Sequence, residues 1–297
     1  MPSPLLSGAI DMHCHAGPSL FNRDLDYVQA AEEAEVAGMK AIVIKDHLMP
    51  SAVLLASLDW RRSELLPRAP NVQVLGSICL NNHVGGLNPW ALEVALELGA
   101  KVVWFPTLSS QRHIERHPGS LFGSLTTRDL RMAMPVQVVA DSGKLVPEAI
   151  ECLDLIAKYN AVLATGHLSA EETLALLPVA LERGVERIVI THPTLFVDAT
   201  SEQREAMIGY GAFLEHEAGL FAPARPNARS PVSELVALIR EHGADHTIIS
   251  SDLGQLNSPH PASGMNATVE ALIAAGISDN DVHKLFRSNA SQLLGLG

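Results

Sequence analysis

The sequence predicts an α/β fold of the (β/α)8 barrel class, and three observations favour it. First, a unit of amphipathic helix, glycine, charged residue and β-branched run recurs around Gly38, Gly99, Gly184 and Gly243. Second, short apolar runs of strand length alternate with helices along the chain. Third, 297 residues fit one barrel, which commonly uses about 250. Strand–helix alternation of this kind demands right-handed crossovers and a parallel sheet.

Eight apolar runs are the predicted strands, near residues 8–13, 40–46, 72–80, 101–106, 161–166, 187–191, 212–216 and 246–251. Several of the helices between them carry start signals: Asn88-Pro89, Ser230-Pro231, Ser169 with Glu172, and Thr200 with Gln203. An open doubly wound sheet is the alternative, but no G-x-G-x-x-G follows the first strand. The sequence therefore favours a closed TIM-type barrel.

Residues 1–297 are interpreted as a single domain, interrupted by an insertion at 108–146 after strand four. The insertion begins with the polar segment QRHIERHPGS, which we expect to be a mobile loop. A β-hairpin turning at 141–143 is predicted to follow. Because insertions at strand C-termini lie over the active face of a barrel, a lid role is expected.

Composition excludes several classes of partner. The formal net charge is -12, which disfavours binding to nucleic acid or to an anionic membrane. The three cysteines form no C-x-x-C pair, and the N-terminal residues lack the charged and apolar regions of a signal peptide. We therefore expect a cytoplasmic protein with a small-molecule substrate, and the sequence leaves a homo-oligomer open.

Histidines and carboxylates fall where the predicted strands end. His13 and His15 alternate on strand one, so both face one side while Cys14 faces the other and is interpreted as a packing residue. The other strand ends carry His167, His192, Asp252, and Lys45 with His47. Barrel active sites are built from these ends, and imidazole with carboxylate is the ligand set of zinc and related transition metals.

His-x-His on strand one, His on strands five and six, and Asp on strand eight resemble the amidohydrolase superfamily. The C-terminal SNASQLLGL is similar to the closing helix of that family. The resemblance implies one or two divalent ions, with zinc expected and manganese, iron, cobalt or nickel as alternatives. It implies that His13, His15, His167, His192 and Asp252 are ligands, and that Asp252 also moves the proton of the attacking water.

Strand four departs from that family, because it ends in Trp104-Phe105-Pro106-Thr107 without the usual bridging Lys or Glu. Lys45, in phase with His47, is the available replacement. A carbamylated Lys45 would supply a bridging anion to two ions. Alternatively, a cationic Lys45 would bind a substrate carboxylate beside a single ion. Both interpretations stay open.

The predicted function is hydrolysis by a metal-activated water, with the resemblance favouring the carbon–nitrogen bond of a small amide, imide or cyclic amide. The alternatives are a lactone, ester or phosphoester hydrolase, a metal-dependent decarboxylase, and a ligand-binding barrel without catalysis. His47, Asn82 and His83 are candidate substrate contacts or ordinary loop residues. Glu217 could reach the mouth or form a rim ion pair, and His113 and His117 are expected to be solvated.

Overall fold

The computed structural model describes residues 4–65, 71–118, 126, 130–225 and 227–297, and for 59–65 it describes the backbone only. Eight parallel strands lie in one sheet in the order β1 to β8. They are β1 (Ile10–Cys14), β2 (Ala41–Ile44), β3 (Gln73–Cys79), β4 (Ala100–Trp104), β5 (Val162–Ala164), β6 (Ile188–Thr191), β7 (Phe213–Glu217) and β8 (Thr247–Ser250). Each lies within one or two residues of its predicted run, and the (β/α)8 fold class is confirmed.

Helices follow the strands among the described residues. They are α1 (Tyr27–Val36), α2 (Ser51–Leu65), α3 (Pro89–Glu97), α4 (Gln111–Arg116), α5 (Pro147–Lys158), α6 (Ala170–Glu182), α7 (Ser201–Gly209), α8 (Val232–His242), α9 (Pro261–Ala274), α10 (Asp279–His283) and α11 (Asn289–Leu294). None of these helices is long and apolar enough to cross a membrane.

Side-chain caps begin three helices as predicted. The Asn88 side chain accepts from the Ala91 amide, and full capping boxes form at Ser169 and at Thr200. The fourth predicted cap, at Ser230, is wrong by one position. Pro231 occupies the N-cap of α8 and makes no side-chain capping bond, so the helix begins at Val232.

The chain divides into two compact units. The first comprises Met1–Lys45, Leu54–Leu75 and Glu215–Gly297, and the second comprises Asp46–Val53 and Gly76–Leu214. Each has its own apolar core, centred on residues such as Ile42 and Leu285 in the first unit and Ile78 and Leu163 in the second. The single-domain interpretation of 1–297 stays a prediction.

The insertion at 108–146 contains the predicted hairpin and an unpredicted helix. Val139 and Leu145 form an antiparallel bridge, and the Gly143 amide donates to the Ala140 carbonyl at 2.8 Å. The expectation of a polar loop over QRHIER is wrong, because these residues form α4. The next part of that loop, residues 119–125 and 127–129, lies outside the described residues.

Candidate metal centre

The end of β1 places two imidazoles on one face of the sheet. His13 and His15 are both buried, and their ring centroids lie 5.2 Å apart. Cys14, pointing the other way, is buried in the apolar core of the first unit, as predicted. The sequence therefore produces a paired donor set by strand alternation alone.

The chain beyond β8 brings Asp252 onto these imidazoles. The Asp252 amide donates to the His13 carbonyl at 2.8 Å, and the His15 amide donates to the Leu253 carbonyl at 2.9 Å. Asp252 has a left-handed backbone with φ 46°, a conformation uncommon outside glycine. Its Oδ1 consequently lies 3.0 Å from His15 Nε2 and 3.3 Å from His13 Nε2.

Gly254 permits this close approach of β8 to β1. Its φ is +110°, and a Cβ at this position would lie 1.7 Å from the His15 carbonyl oxygen. No residue with a side chain fits without moving the backbone of one ligand. The ligand atoms of His13, His15 and Asp252 all lie within 4.8 Å of one another, so these residues could hold a metal ion.

Outer contacts of His15 prepare it as a ligand. Its Nδ1 lies 2.9 Å from the Lys45 carbonyl oxygen, which can only accept, and 3.2 Å from Nη2 of Arg23, which can only donate, so the two contacts favour opposite tautomers. With the proton on Nδ1, on the side of the nearer Lys45 oxygen, Nε2 would direct its lone pair toward Asp252. Burial, followed by the positive charge of Arg23, lowers the pKa of His15 to about 3. The ring is therefore neutral near pH 7, which is the form that binds a metal.

A carboxylate lies close to Nδ1, the second ring nitrogen of His13. This nitrogen lies 3.4 Å from Oε2 of Glu215, which is itself buried. Metal-binding histidines commonly donate their second ring N–H to such a carboxylate, which fixes the tautomer and raises the basicity of the ring. Glu217, two residues further along β7, is also buried, and its carboxylate lies within 4.8 Å of a His13 ring nitrogen. The predicted alternative of a rim ion pair for Glu217 does not fit this burial.

Acidic groups outnumber cations around the two imidazoles. Burial raises the pKa of Asp11 to about 6, and its Oδ1 accepts from the amides of His13 and Ser251 at 3.0 and 2.9 Å. Among the described residues, three carboxylates lie close to the imidazoles, beside two basic side chains: Glu215, Glu217 and Asp252, with Lys45 and Arg23. Carboxylates grouped in a buried setting are costly, and a divalent cation would offset their charge.

Lys45 lies inside this cluster. It follows β2, is fully buried, and places Nζ 3.0 Å from His13 Nε2. Its amide donates to the Cys14 carbonyl at 2.8 Å, so its backbone is held against β1. The structure therefore brings together four of the residues predicted for the site: His13, His15, Lys45 and Asp252.

His167 and His192 lie together in the second unit, with ring centroids 5.2 Å apart. The turn before His167 is built on Gly166, at φ +66°, where a Cβ would lie 2.3 Å from the Phe105 carbonyl oxygen. His192 itself has a left-handed φ of 53°. Both histidines are buried. Their coordination of the same ion as His13 stays a prediction from the strand-end argument.

Sequence reasoning missed the rings that surround His167. Phe196 stacks on it with centroids 3.9 Å apart and an interplanar angle of 8°, and His113 lies at its edge with centroids 5.0 Å apart and an interplanar angle of 23°. The expectation that His113 is solvated is wrong, because only 1% of its surface is exposed. His117 is half-buried and stacks on His113. The polar insertion has no apolar periodicity that predicts this burial.

The predicted substrate contacts occupy different settings in the second unit. His47 is buried, and its Nδ1 lies 2.9 Å from the Thr107 hydroxyl, which also accepts from Asn81 at 2.7 Å. Asn82 accepts through Oδ1 from the Ser109 hydroxyl and from the Met134 amide, so it hydrogen-bonds two residues of the insertion at 108–146. His83 is exposed, and partial burial of its ring lowers its pKa. Substrate binding by the three stays a prediction.

Comparison with known proteins finds one family and many solved structures. A family of unknown function, DUF6282, matches residues 8–215, a span that includes every predicted ligand except Asp252. No curated protein matches the sequence.

The fold is similar to that of three solved hydrolases. An amidohydrolase from Pseudomonas aeruginosa has a TM-score of 0.65 and 12% identity over 98% of this chain and 96% of its own. The probable dipeptidase PvdM from the same organism has a TM-score of 0.64 and 13% identity over 97% and 94%. The organophosphorus hydrolase from Deinococcus radiodurans has a TM-score of 0.57 and 14% identity over 97% and 92%. The predicted resemblance to the amidohydrolase superfamily is thus confirmed for the fold.

Proposed function

Because the chain belongs to a family of unknown function, DUF6282, we propose its activity from its own residues: it is a metal-dependent hydrolase. The observation that carries the proposal is the convergence of His13, His15 and Asp252 ligand atoms within 4.8 Å in a buried, acidic setting. Two imidazoles with a carboxylate suit zinc and neighbouring transition metals better than magnesium or calcium. We propose zinc first, with manganese, iron, cobalt or nickel as alternatives.

The residues present fit such an ion. Burial keeps His15 neutral near pH 7, its Nε2 lies 3.0 Å from Asp252 Oδ1, and Nδ1 of His13 lies 3.4 Å from Glu215 Oε2. His167 and His192 are proposed as further ligands on the strand-end argument. When bound, a divalent ion lowers the pKa of coordinated water to about 7 and polarises the substrate.

Asp252 is proposed as the residue that moves the proton. Its side chain is 19% exposed, whereas both imidazoles beside it are almost fully buried, so among these three groups the carboxylate is the one that faces solvent or substrate. A carboxylate in this position accepts a proton from the attacking water and returns it to the leaving group. This division leaves the histidines as fixed donors and gives Asp252 the acid–base role.

We propose a small amide, imide or cyclic amide as the substrate, on the family resemblance. The structural neighbours are an amidohydrolase, a probable dipeptidase and an organophosphorus hydrolase, so the assay panel should span amides, dipeptides, lactones and phosphotriesters. Turnover of a carbon–nitrogen substrate by the metal-loaded protein is expected. Turnover confined to lactones or phosphotriesters would replace the substrate class, and no turnover by metal-loaded protein would favour a binding role.

Metal content gives the most direct test of the centre. Purified protein should carry one or two transition-metal ions per chain by elemental analysis, and the His13→Ala/His15→Ala double variant should lose at least one. The exposed His283 supplies the matched control, since His283→Ala should change nothing. Saturation at about 100 times Kd should stabilise the fold by about 2.7 kcal/mol, so a chelator should lower Tm. A metal content equal in the double variant and the wild type would contradict the proposal.

Lys45 is proposed to act within the centre as a carbamate or as a cation. As a carbamate it would support two ions, so Lys45→Ala should lose one, and bicarbonate should not restore it. If Lys45 is a cation, Lys45→Ala should keep the metal content of the wild type, while KM for carboxylate-bearing substrates rises. Labelling with 13C-bicarbonate distinguishes the two, because only a carbamate on Lys45 gives a protein-bound carbonyl resonance that Lys45→Ala removes. A variant with wild-type metal content and kinetics would exclude both roles.

A further inference from the structure

Two rings contact His167 on different sides within the second unit. Phe196 lies against its face, with centroids 3.9 Å apart, and His113 lies at its edge, with centroids 5.0 Å apart. His113 and Phe196 also contact each other at 5.3 Å. The face contact with Phe196 and the edge contact with His113 together restrict rotation of the His167 ring, because a large turn would lose both.

Several bonds hold helix α4 in place. The Ser110 hydroxyl caps the helix by accepting from the His113 amide at 3.0 Å. Arg112 and Arg116 both donate to Oδ2 of Asp198, at 2.7 and 2.6 Å. Arg116 also donates to the Leu195 carbonyl at 2.5 Å. These bonds fasten α4 to the segment that carries Phe196, and they give His113 a defined position.

The contact between the two imidazoles is a hydrogen bond through matching atoms. His113 Nδ1 lies 3.0 Å from His167 Nδ1, and both rings are buried. One nitrogen must carry the proton and the other must accept it. If His167 binds a metal through Nε2, its own Nδ1 must be the donor, and His113 Nδ1 must therefore be the acceptor.

We propose that His113 is a positioning residue for His167: its Nδ1 accepts the Nδ1–H of His167 and leaves His167 Nε2 unprotonated for a metal. The inference rests on the proposed function, since it takes His167 as a ligand. It assigns a role to the insertion at 108–146 that differs from a lid, because α4 then supplies an outer partner of the metal site.

His113, the outer partner of His167, differs in charge from Glu215, the outer partner of His13. Outer partners of metal-binding histidines are commonly carboxylates, backbone carbonyls or water. Glu215 fills that role for His13 with an anion, whereas His113 offers a neutral imidazole to His167. His113 should therefore fix the tautomer of His167 without placing a negative charge beside it.

Two substitutions of His113 separate the effect of its acceptor atom from the effect of its aromatic ring. His113→Phe keeps an aromatic ring for the stack but removes the acceptor, whereas His113→Asn keeps an acceptor oxygen near the Nδ1 position but removes the ring. His117→Phe is the matched control, because His117 stacks on His113 and its Nδ1 lies 3.2 Å from the His113 carbonyl oxygen. Zn²⁺ affinity, measured by competition with a chromophoric chelator, should fall about 10–100-fold in His113→Phe. It should stay within a few-fold of wild type in His113→Asn and in His117→Phe.

Equal affinity in His113→Phe and wild type would overturn the proposal, as would equal losses in His113→Phe and His113→Asn. A second measurement does not depend on metal. In metal-free protein labelled with 15N-histidine, the His167 signals, assigned through their loss in His167→Asn, should report a proton on Nδ1. In His113→Phe they should shift toward the Nε2–H form.

The two measurements also separate this inference from the proposed function. If Zn²⁺ does not bind the wild-type protein, the hydrolase proposal fails, and the tautomer of His167 alone decides whether His113 positions it. An Nε2–H tautomer of His167 in the wild-type protein would overturn the role of His113. Zn²⁺ binding with that result would leave the hydrolase proposal standing.

Discussion

Replacing Asp252 with asparagine is expected to lower turnover about 10²–10⁴-fold, because deletion of a general acid–base group typically has that effect. The amide keeps the size of the side chain and an oxygen near His15 Nε2, so metal should stay largely bound. Loss of one ligand charge should weaken metal affinity and reduce the rate further. Steady-state kinetics on metal-saturated protein, with elemental analysis of the same sample, measures both effects.

Asp245→Asn is the matched control for this substitution. Asp245 is exposed, pairs with Lys284, and precedes β8, whereas Asp252 follows it. Its replacement should leave kcat and metal content unchanged. Near wild-type turnover in Asp252→Asn would place the proton-transfer group on another residue.

Replacing Gly254 with alanine is expected to cause a large loss of stability. The new Cβ would lie 1.7 Å from the His15 carbonyl oxygen, and the residue would keep a φ near +110°. Backbone strain of this kind costs about 1–3 kcal/mol, and steric overlap with backbone must be relieved in addition. We expect a free energy of unfolding at least about 3 kcal/mol lower than wild type, within the upper range for point mutations.

Gly99→Ala isolates the conformational part of that loss. Gly99 also has a positive φ, +93°, but a Cβ there would meet nothing within 4 Å. Urea unfolding of both variants without metal should therefore show a much smaller loss for Gly99→Ala. Equal midpoints would mean that β1 and β8 separate readily at Gly254, and that the ligand geometry does not depend on their close packing.

The sequence predicts the strands and most of the proposed ligands for one physical reason. Period-two alternation fixes the face of His13 and His15, and glycine after a helix marks the start of the next strand. The same logic applies to Glu215 and Glu217, because both alternate in phase along β7 as the histidines do along β1. The alternation places both side chains on one face of β7, but it does not show whether a carboxylate there lies beside the predicted ligands or forms an ion pair at the edge of the barrel. Glu215 is therefore absent from the residues predicted for the site.

Other features depend on contacts that local patterns do not encode. The burial of His113 follows from a six-residue helix held by Asp198 and capped by Ser110, and none of these residues signals a buried ring in the sequence. The proximity of Lys45 to His13 follows from its place at a strand end, but the bond from His15 to the Lys45 carbonyl depends on the register of β1 against β2. That register has an irregularity between Asp11 and Cys14 which the alternation pattern does not show.

The position of Asp252 along the chain has a consequence for synthesis and folding. It lies 237 residues after His15, so an ion held by both would act as a crosslink that closes a very long loop. The entropic benefit of such a crosslink grows only slowly with loop length, by about 0.6 kcal/mol per doubling. During translation the two histidines leave the ribosome early, and the carboxylate emerges only after the last strand. A nascent chain that ends before β8 would therefore bind an ion without this carboxylate, and full affinity would arise only when the final strand joins β1.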